Sequence, residues 1–244
     1  MKDVMLTVEG NVALTKDVYK MELSGDCSEI TAPGQFVNIR IEGLYLRRPI
    51  SVCDVCGDKL TIIYKVVGKG TEAMSKMPKG TALQVLTGLG NGYDLKDAGE
   101  KPLLIGGGVG VPPMYKLAKD LVKEGKKPAV ILGFNKKEEI FFEKEFKDAG
   151  CEVLVTTVDG SYGVKGFVTN AFPDEYSYTY CCGPEPMLKA VYKTAKTGGQ
   201  YSFEERMGCG FGACMGCSCK TITGYKRICK DGPVLRKEEI LWED

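Results

Sequence analysis

Short segments of alternating apolar and polar residues fill the first part of the chain. They run over residues 5–9, 18–23, 36–41, 60–67 and 82–86, and turn-forming residues such as Ala32-Pro33-Gly34 lie between them. Alternation with a period of two is typical of strands that bury one face. The pattern therefore predicts an antiparallel barrel or sandwich over about residues 1–98.

From about residue 99 the pattern changes to apolar strands that alternate with helical segments. Strands are predicted at 103–105, 128–134, 153–158 and 178–182, and helices at 114–123, 138–149, 167–172 and 185–196. Such alternation is typical of a parallel sheet with both faces covered, in which ligands bind at the carboxyl ends of the strands. We therefore predict an α/β domain over residues 99–200.

Two loops follow predicted strands of this domain and are candidates for a nucleotide site. The first contains Gly106, Gly107, Gly108 and Gly110, whose backbone N–H groups could approach a phosphate at the start of a helix. Pro112 or Pro113 could begin that helix, because a backbone N–H in the first turn has no partner within the helix and its loss costs nothing. Glycine-rich turns are also common without ligands. The second loop contains Cys182 and Gly183, and Cys182 taken alone would be a small buried apolar residue.

Asp159 ends a third predicted strand of the sheet. Its carboxylate could accept hydrogen bonds from an adenosine ribose and repel a 2′-phosphate, which would favour NADH over NADPH. An ordinary Asp-Gly turn explains the residue equally well.

Two segments of the first domain combine basic, glycine and hydroxyl residues. In Arg48-Pro49-Ile50-Ser51 the guanidinium could bind a pyrophosphate at two points, with a hydroxyl three residues later. Gly68-Lys69-Gly70-Thr71 precedes a predicted helix and could present N–H groups to an anion. Each segment taken alone is more often an ordinary surface arginine or turn.

Composition narrows the possible functions. The chain has 244 residues, 43% of them hydrophobic, and a formal net charge of +1, so neither nucleic acid nor an anionic membrane is an expected partner. No apolar run reaches the length of a membrane span and no signal peptide is recognisable, so we expect a cytoplasmic location. The absence of histidine favours hydride and electron transfer over chemistry that needs a base near neutral pH.

Cysteines are concentrated in the last segment, residues 201–244. Cys209, Cys214 and Cys217 have the spacing C-x4-C-x2-C, and Cys229 follows, an arrangement typical of a plant-type [2Fe–2S] cluster. Zinc is a weaker alternative because zinc sites favour paired CxxC motifs or histidine, and disulfides are weaker still. Cys219 would crowd the same iron as Cys217, so Cys229 is the preferred fourth ligand, with Cys219 left as the alternative.

The motifs together resemble the ferredoxin–NADP reductase superfamily. The resemblance implies a flavin-binding barrel, a parallel-sheet nicotinamide-binding domain and a small C-terminal [2Fe–2S] domain. It also implies that the arginine of the R-x-x-S segment binds the FAD pyrophosphate and that the serine lies near flavin N5. The implied FAD residues are Arg48, Pro49, Ile50, Ser51, Ile63, Tyr64, Lys65, Gly70 and Thr71, and the implied nicotinamide dinucleotide residues are Gly106, Gly107, Gly108, Gly110, Cys182 and Gly183.

The domain order and five sequence segments narrow this resemblance to one family, and they extend over almost the whole chain. The segments are LRRPISV, GLGNGY, CGPEPM, CGFGACMGCSCK and CKDGPV. They are similar to the electron-transfer subunits of type B, NAD-linked dihydroorotate dehydrogenases. That similarity implies FAD, a [2Fe–2S] cluster and NAD(H) as cofactors. It also implies an FMN-containing catalytic partner that oxidises dihydroorotate to orotate in pyrimidine biosynthesis, with two copies of each subunit.

Two other functions fit the same motifs. The chain could be the flavin subunit of another NAD(P)H-linked complex, such as an electron-bifurcating transhydrogenase or a sulfide dehydrogenase. A ligand set of four cysteines favours the dihydroorotate hypothesis, because a carboxylate ligand would favour the transhydrogenase. The chain could also be a non-enzymatic iron–sulfur redox sensor, which would bind no flavin.

Overall fold

The structure, a computed structural model, describes residues 1–242. The first domain of the chain is a closed antiparallel barrel. The strand order around the barrel is β1-β2-β5-β4-β3-β6, which confirms the predicted fold of the first domain. The strands are β1 Lys2–Ala13, β2 Val18–Ser24, β3 Phe36–Ile39, β4 Arg48–Cys56, β5 Lys59–Lys65 and β6 Ala82–Leu89, and a short helix, α1 Lys69–Ser75, follows β5.

Alternation along the barrel strands separates an inner from an outer face. In β3, Val37 and Ile39 are fully buried in the barrel core, whereas Phe36 belongs to a different core shared with the following domains. Successive side chains of a strand point to opposite faces. The outer face of β3 is therefore covered by the rest of the protein, so all four residues of the strand are buried.

The second domain is a parallel sheet covered by helices, as predicted. Its strands occur in the order β10-β9-β8-β7-β11-β12 and all neighbouring pairs are parallel. In chain order the elements are β7 Leu103–Gly107, α2 Val111–Lys123, β8 Ala129–Phe134, α3 Glu143–Asp148, β9 Glu152–Thr157, β10 Val164–Lys165, β11 Thr179–Cys182, α4 Glu185–Thr194 and β12 Gly199–Ser202.

Two predicted helices are shorter than the hydrophobic pattern indicated. The segment 138–149 contains a 3₁₀ turn at Lys137–Glu139 and then α3, with Phe142 between them in the left-handed region at φ 67°. The segment 167–172 forms only a 3₁₀ turn, Val168–Ala171. Phe141 and Phe142 are buried in the domain core, so packing of these rings replaces a continuous helix over this segment.

The C-terminal segment contributes to the sheet and also forms its own hairpin. The hairpin consists of β13 Ser218–Thr221 and β14 Gly224–Arg227, and β15 Val234–Arg236 then pairs antiparallel with β12 at the sheet edge. Cys217 and Cys229 lie in the same apolar core as Phe36 of the barrel and Ile105 of the sheet. The cysteine segment is thus packed against both preceding domains. Within residues 1–242, no helix has the length and apolar character needed to cross a bilayer.

Candidate functional site

Arg48 and Gly70 are brought into contact at one end of the barrel. A Cβ atom built on Gly70 would overlap the Arg48 guanidinium, so only glycine leaves room for this side chain beside the start of α1. Arg48 Nη1 donates hydrogen bonds to the carbonyl oxygens of Leu46 and Arg47. These contacts hold a cation beside the N-terminal turn of α1, an arrangement that suits a pyrophosphate.

Thr71, another residue implied by the resemblance, stabilises the start of α1. Its Oγ1 accepts hydrogen bonds from the backbone N–H groups of Val67 (3.0 Å) and Gly68 (3.3 Å) and donates to the Gly68 carbonyl (3.1 Å). The side chain is buried. Thr71 therefore fixes the backbone of the turn that carries Gly70, and its hydroxyl is already engaged.

The register in which β3 pairs with β4 places the remaining residues of the Arg48–Ser51 motif on the two faces of β4. Ser51 lies opposite Phe36, and Pro49 lies opposite Asn38, so Pro49 and Ser51 share the outer face of the barrel with these β3 residues. Ile50 packs against the barrel core instead. The hydroxyl of Ser51, which is half-buried, is thus adjacent to the surface that the later domains cover.

Ile63, Tyr64 and Lys65 form the end of β5 and have three different environments. Ile63 packs into the core shared with the sheet domain, and Lys65 is exposed and pairs with Asp17 at 3.1 Å. Tyr64 is buried in the barrel, and its hydroxyl donates to Asn11 Oδ1 at 3.0 Å. Burial raises the pKa of Tyr64 to about 12. In this conformation the Tyr64 hydroxyl is already bonded within the barrel.

The glycine loop and the Cys182 loop contact each other at the carboxyl ends of β7 and β11. A Cβ on Gly110 would overlap the Cys182 carbonyl, and a Cβ on Gly107 or Gly183 would overlap Met187. Gly108 has φ +52° with open space around it. The helix that follows begins at Val111, so Pro112 and Pro113 both lie in its first turn although neither begins it. Two backbone loops thus meet at the strand ends, where a nucleotide would bind.

Cys182 also belongs to a polar group that the sequence analysis did not identify. Ser202 lies beside Cys182 in the parallel pairing of β11 and β12, and its side chain is a close neighbour of both Cys182 and Tyr93. The Tyr93 hydroxyl donates to the Cys181 carbonyl at 3.0 Å. Burial raises the pKa of the Cys182 thiol to about 12, so the thiol is neutral at physiological pH.

Asp159 lies at the same edge of the sheet but two strands away from β7. Its Oδ1 accepts hydrogen bonds from the Ser161 N–H (2.9 Å) and hydroxyl (2.6 Å), and these bonds lower its pKa. The residue is exposed and therefore presents an ionised carboxylate. Asp159 can therefore form the Asp-Gly turn and still present an ionised carboxylate to a ribose.

Cys209 accepts several backbone hydrogen bonds in the cysteine loop. The N–H groups of Phe211, Ala213 and Cys214 lie 3.3–3.5 Å from its sulfur. Burial opposes ionisation, but the hydrogen bonds, led by that from Cys214, outweigh burial and lower the pKa of Cys209 to about 6. N–H groups directed at a thiolate are the environment of a cluster ligand, and such bonds tune cluster potentials.

The four cysteines with cluster spacing lie in two pairs. The backbone N–H of Cys214 donates to the Cys209 sulfur at 3.5 Å, and the backbone N–H of Cys229 donates to the Cys217 sulfur at 3.4 Å. No three metal-ligating side chains converge on one point within residues 1–242. Two thiol pairs suit a cluster with two irons better than a single metal ion, so the donor set fits a [2Fe–2S] group.

Cys219 lies on strand β13 of the hairpin, two residues after Cys217. It pairs in register with Lys226, and it lines a cavity of about 440 Å³ together with residues such as Phe203 and Trp242. Burial and the charge of Glu205 raise the pKa of its thiol. Cys219 thus lines a cavity next to the sheet domain, whereas Cys217 and Cys229 are both buried and are joined by the hydrogen bond from the Cys229 N–H to the Cys217 sulfur.

Sequence reasoning missed three residues of the site. Asn38 donates a hydrogen bond to the Cys209 carbonyl, and Tyr93 and Ser202 are neighbours of Cys182. Asn38 is a polar residue in the apolar strand Phe36–Ile39, and this was the available signal. Ser202 becomes a neighbour of Cys182 through the pairing of β11 with β12, and Tyr93 does so through the packing of the GLGNGY segment on the sheet. No local pattern predicts either contact.

Comparison with known proteins identifies the family. Residues 204–241 match the family described as the iron-sulfur cluster binding domain of dihydroorotate dehydrogenase B, and residues 104–193 match the oxidoreductase NAD-binding domain. A protein of Fusobacterium nucleatum named dihydroorotate dehydrogenase B (NAD(+)), electron transfer subunit, is 47% identical over 96% of each chain. The chain belongs to this family of electron-transfer subunits. A Geobacillus member is 43% identical over 99% of each chain.

Solved structures of other oxidoreductases share the fold of this chain. The chain is similar to an NADH-dependent reduced ferredoxin-NADP oxidoreductase, studied for flavin-based electron bifurcation, with a TM-score of 0.89 and 31% identity over 98% of this chain and 90% of that one. The cytochrome P450 reductase GcoB of Amycolatopsis is 21% identical over 79% of this chain and 65% of that one. Its TM-score of 0.70 shows a shared fold alone. The resemblance of the motifs to the ferredoxin–NADP reductase superfamily is thus confirmed.

Proposed function

We propose that this chain passes electrons between NAD(H) and the FMN of a partner subunit, by way of FAD and a [2Fe–2S] cluster, in the NAD-linked oxidation of dihydroorotate to orotate. The observation that carries the proposal is the contact of Cys214 with the Cys209 sulfur and of Cys229 with the Cys217 sulfur, in a segment packed against the barrel and the sheet. The names of relatives that are 40–47% identical over nearly the whole chain support the substrate.

The proposed FAD site lies on the barrel. Arg48, held by backbone carbonyls against Gly70, would bind the pyrophosphate, and Thr71 would keep the α1 turn in shape. Ser51 would lie near the flavin ring, on the face of the barrel that adjoins the cysteine segment. The further FAD residues of the proposal are Pro49, Ile50, Ile63, Tyr64, Lys65 and Gly70.

The proposed nicotinamide dinucleotide site lies where the Gly106–Gly110 loop meets Cys182 and Gly183. Gly108, which faces open space with positive φ, would leave the backbone N–H groups accessible to phosphate. The neutral Cys182 thiol, which lies beside Ser202, would face the nicotinamide without introducing a charge that competes with hydride transfer. Asp159 would select against a 2′-phosphate.

The cofactors supply the electron chemistry, since a flavin exchanges a hydride with NAD(H) and single electrons with a cluster. The protein's contribution is to fix their relative positions. Cys209, Cys214, Cys217 and Cys229 would ligate the two irons, and the backbone N–H groups around Cys209 would stabilise the reduced cluster.

The proposal includes an FMN-containing catalytic partner in a complex with two copies of each subunit. It also includes a cytoplasmic location, which the eleven free cysteines support because reducing compartments keep thiols available for metals. Phe211 and Met215 are exposed beside the cysteine pairs, so the cluster segment could contact that partner. The domain limits 1–98, 99–200 and 201–244 remain part of the proposal, although the sheet continues through β12 and takes up β15.

Purification of the chain with its natural partners tests the proposal. We expect a complex that contains FAD, FMN and a [2Fe–2S] cluster, and that reduces NAD⁺ when dihydroorotate is added. A chain that carries iron but no flavin would contradict the proposal and favour a redox sensor. A complex that holds all cofactors but does not oxidise dihydroorotate would contradict the substrate.

A second candidate function is supported by the similarity to the NADH-dependent reduced ferredoxin-NADP oxidoreductase. In that case the partner would exchange electrons with ferredoxin and NADP⁺ rather than with dihydroorotate. The same purified complex distinguishes the two functions, because only one of the two substrate sets would reduce its flavins.

A further inference from the structure

Asn38 occupies an unusual position on strand β3 of the barrel. Its neighbours Val37 and Ile39 point into the barrel core, so alternation directs Asn38 to the outer face. The residue is only 1% exposed. Buried amides are rare unless their polar atoms are bonded, so this position calls for a specific contact.

That contact is with the cysteine loop. Asn38 Nδ2 donates a hydrogen bond to the Cys209 carbonyl at 3.3 Å. The backbone of Gly210 lies directly on the amide, because a Cβ on Gly210 would overlap Asn38 Nδ2. Gly210 also has φ +79°, which other residues rarely adopt. One barrel side chain thus holds the carbonyl of a proposed cluster ligand and packs against the next residue.

The other side of Asn38 adjoins the proposed FAD site. Asn38 lies opposite Pro49 in the antiparallel pairing of β3 and β4, and Phe36 lies opposite Ser51. Directly opposite residues share a face and have neighbouring side chains. The two strands therefore place the Cys209 contact beside the motif that would hold the flavin.

The side-chain amide of Asn38 has one hydrogen-bonding atom without a partner within residues 1–242. Asn38 Oδ1 is buried and has no hydrogen-bond partner among the described residues. An apolar residue of the same size would fill the position without leaving a buried acceptor unpaired. Packing alone therefore does not explain an asparagine here, whereas its donor to the Cys209 carbonyl does.

We propose that Asn38 is a positioning residue that fixes the Cys209 end of the cluster loop against the FAD-binding face of the barrel. The proposal rests on the proposed function, since it requires that both cofactors bind. The hydrogen bond and the Gly210 contact define how far the loop lies from β3, which pairs with β4. Loss of the bond would let the loop shift, which would alter both the environment of the cluster and its separation from the flavin.

Two variants of the full chain, purified with its partner, test this role. Asn38→Leu removes the hydrogen bond at nearly constant volume, and Asn38→Ala removes it by emptying the position. Stopped-flow absorbance follows reduction of the flavin and of the cluster by NADH separately, and redox titration followed by EPR gives the cluster potential. Asn91→Ala is the matched control, because Asn91 Nδ2 bonds the carbonyls of Asp231 and Val234 in the same C-terminal segment but not one of a cysteine.

We expect both Asn38 variants to bind FAD and iron at the level of the unchanged protein. The cluster should be reduced severalfold more slowly, because electron transfer slows as the separation of the two cofactors increases and as their potentials change. The cluster potential and EPR spectrum should shift, while flavin reduction by NADH stays unchanged and Asn91→Ala alters neither the potential nor the spectrum.

An unchanged potential and an unchanged rate of cluster reduction in either folded variant would overturn the positioning role, even if thermal stability fell. Equal shifts in Asn91→Ala would also overturn it, because any loosening of the C-terminal segment would then suffice. Absence of flavin or cluster from the unchanged protein would instead contradict the proposed function, so the two failures can be distinguished.

Discussion

The guanidinium of Arg48 occupies the space where a side chain on Gly70 would have to lie. Gly70→Ala should therefore displace Arg48 from the turn before α1 and weaken FAD binding by at least about tenfold, since a hydrogen bond to a charged group is worth about 1.5–3 kcal/mol. The ratio of flavin to protein absorbance after gel filtration measures the effect. Arg48→Ala should give the same loss.

Gly68→Ala provides the matched control for this prediction. Gly68 lies in the same turn, its backbone is extended at φ −177°, and a Cβ there meets no atom within 4 Å. The variant should keep its flavin. Loss of flavin from both glycine variants would show that the turn tolerates no substitution, and retention by Gly70→Ala would remove the role of the Arg48–Gly70 contact.

The pairing of Cys217 with Cys229 predicts which thiols the cluster requires. Cys229→Ser should abolish the visible absorbance of the cluster and the EPR signal of its reduced state, because the second iron would lose a thiolate ligand. Cys219→Ser should leave both intact, since Cys219 faces the cavity beside the sheet domain. Iron and sulfide analysis of both variants provides the measurement. The opposite result would make Cys219 the fourth ligand.

Most of the fold follows from local patterns, and the exceptions have physical causes. Strand β4 was not recognised as a strand because the motif Arg48-Pro49-Ile50-Ser51 lacks clear alternation, yet it pairs with both β3 and β5. The helix predicted over 138–149 fails because Phe141 and Phe142 both turn into the core, which requires the break at Phe142. Tertiary packing overrides helical propensity there.

The candidate site was predictable only where its residues are neighbours in sequence. The glycine loop, the Cys182 loop and the cysteine spacing are local motifs, and the structure brings the first two together. The contact of Asn38 with Cys209 spans 171 residues, and that of Tyr93 with the Cys181 carbonyl spans 88. Such pairs depend on how three domains pack, and a single sequence contains no period or spacing that records them.

Asp159 predicts the choice between the two nicotinamide dinucleotides. Its pKa is lowered by hydrogen bonds from Ser161, so it is ionised at neutral pH and should repel a 2′-phosphate. Asp159→Asn should raise the ratio of kcat/KM for NADPH to that for NADH severalfold, because it removes a negative charge that repels the 2′-phosphate. Steady-state kinetics with both donors measures it.

Glu152→Gln is the control for Asp159→Asn, because Glu152 is an exposed carboxylate at the opposite end of the same strand. It should leave the ratio unchanged. If the NADPH to NADH ratio of kcat/KM rises equally in both variants, the cause is a general effect of charge. If it rises in neither, Asp159 serves only to form the turn.

Buried thiols predict how stability depends on pH. Burial raises the pKa of Cys151 to about 11 and that of Cys182 to about 12, from 9.0 in an unperturbed thiol. Below pH 9 the native and unfolded chains both keep these protons. Above pH 9 the unfolded chain releases protons that the native chain retains, so the free energy of unfolding should fall by up to about 1.4 kcal/mol per pH unit for each such thiol. Urea denaturation between pH 7 and pH 10.5 measures this slope. Cys151→Val removes one of the thiols and should make the slope above pH 9 shallower, whereas an identical slope would show that Cys151 does not contribute.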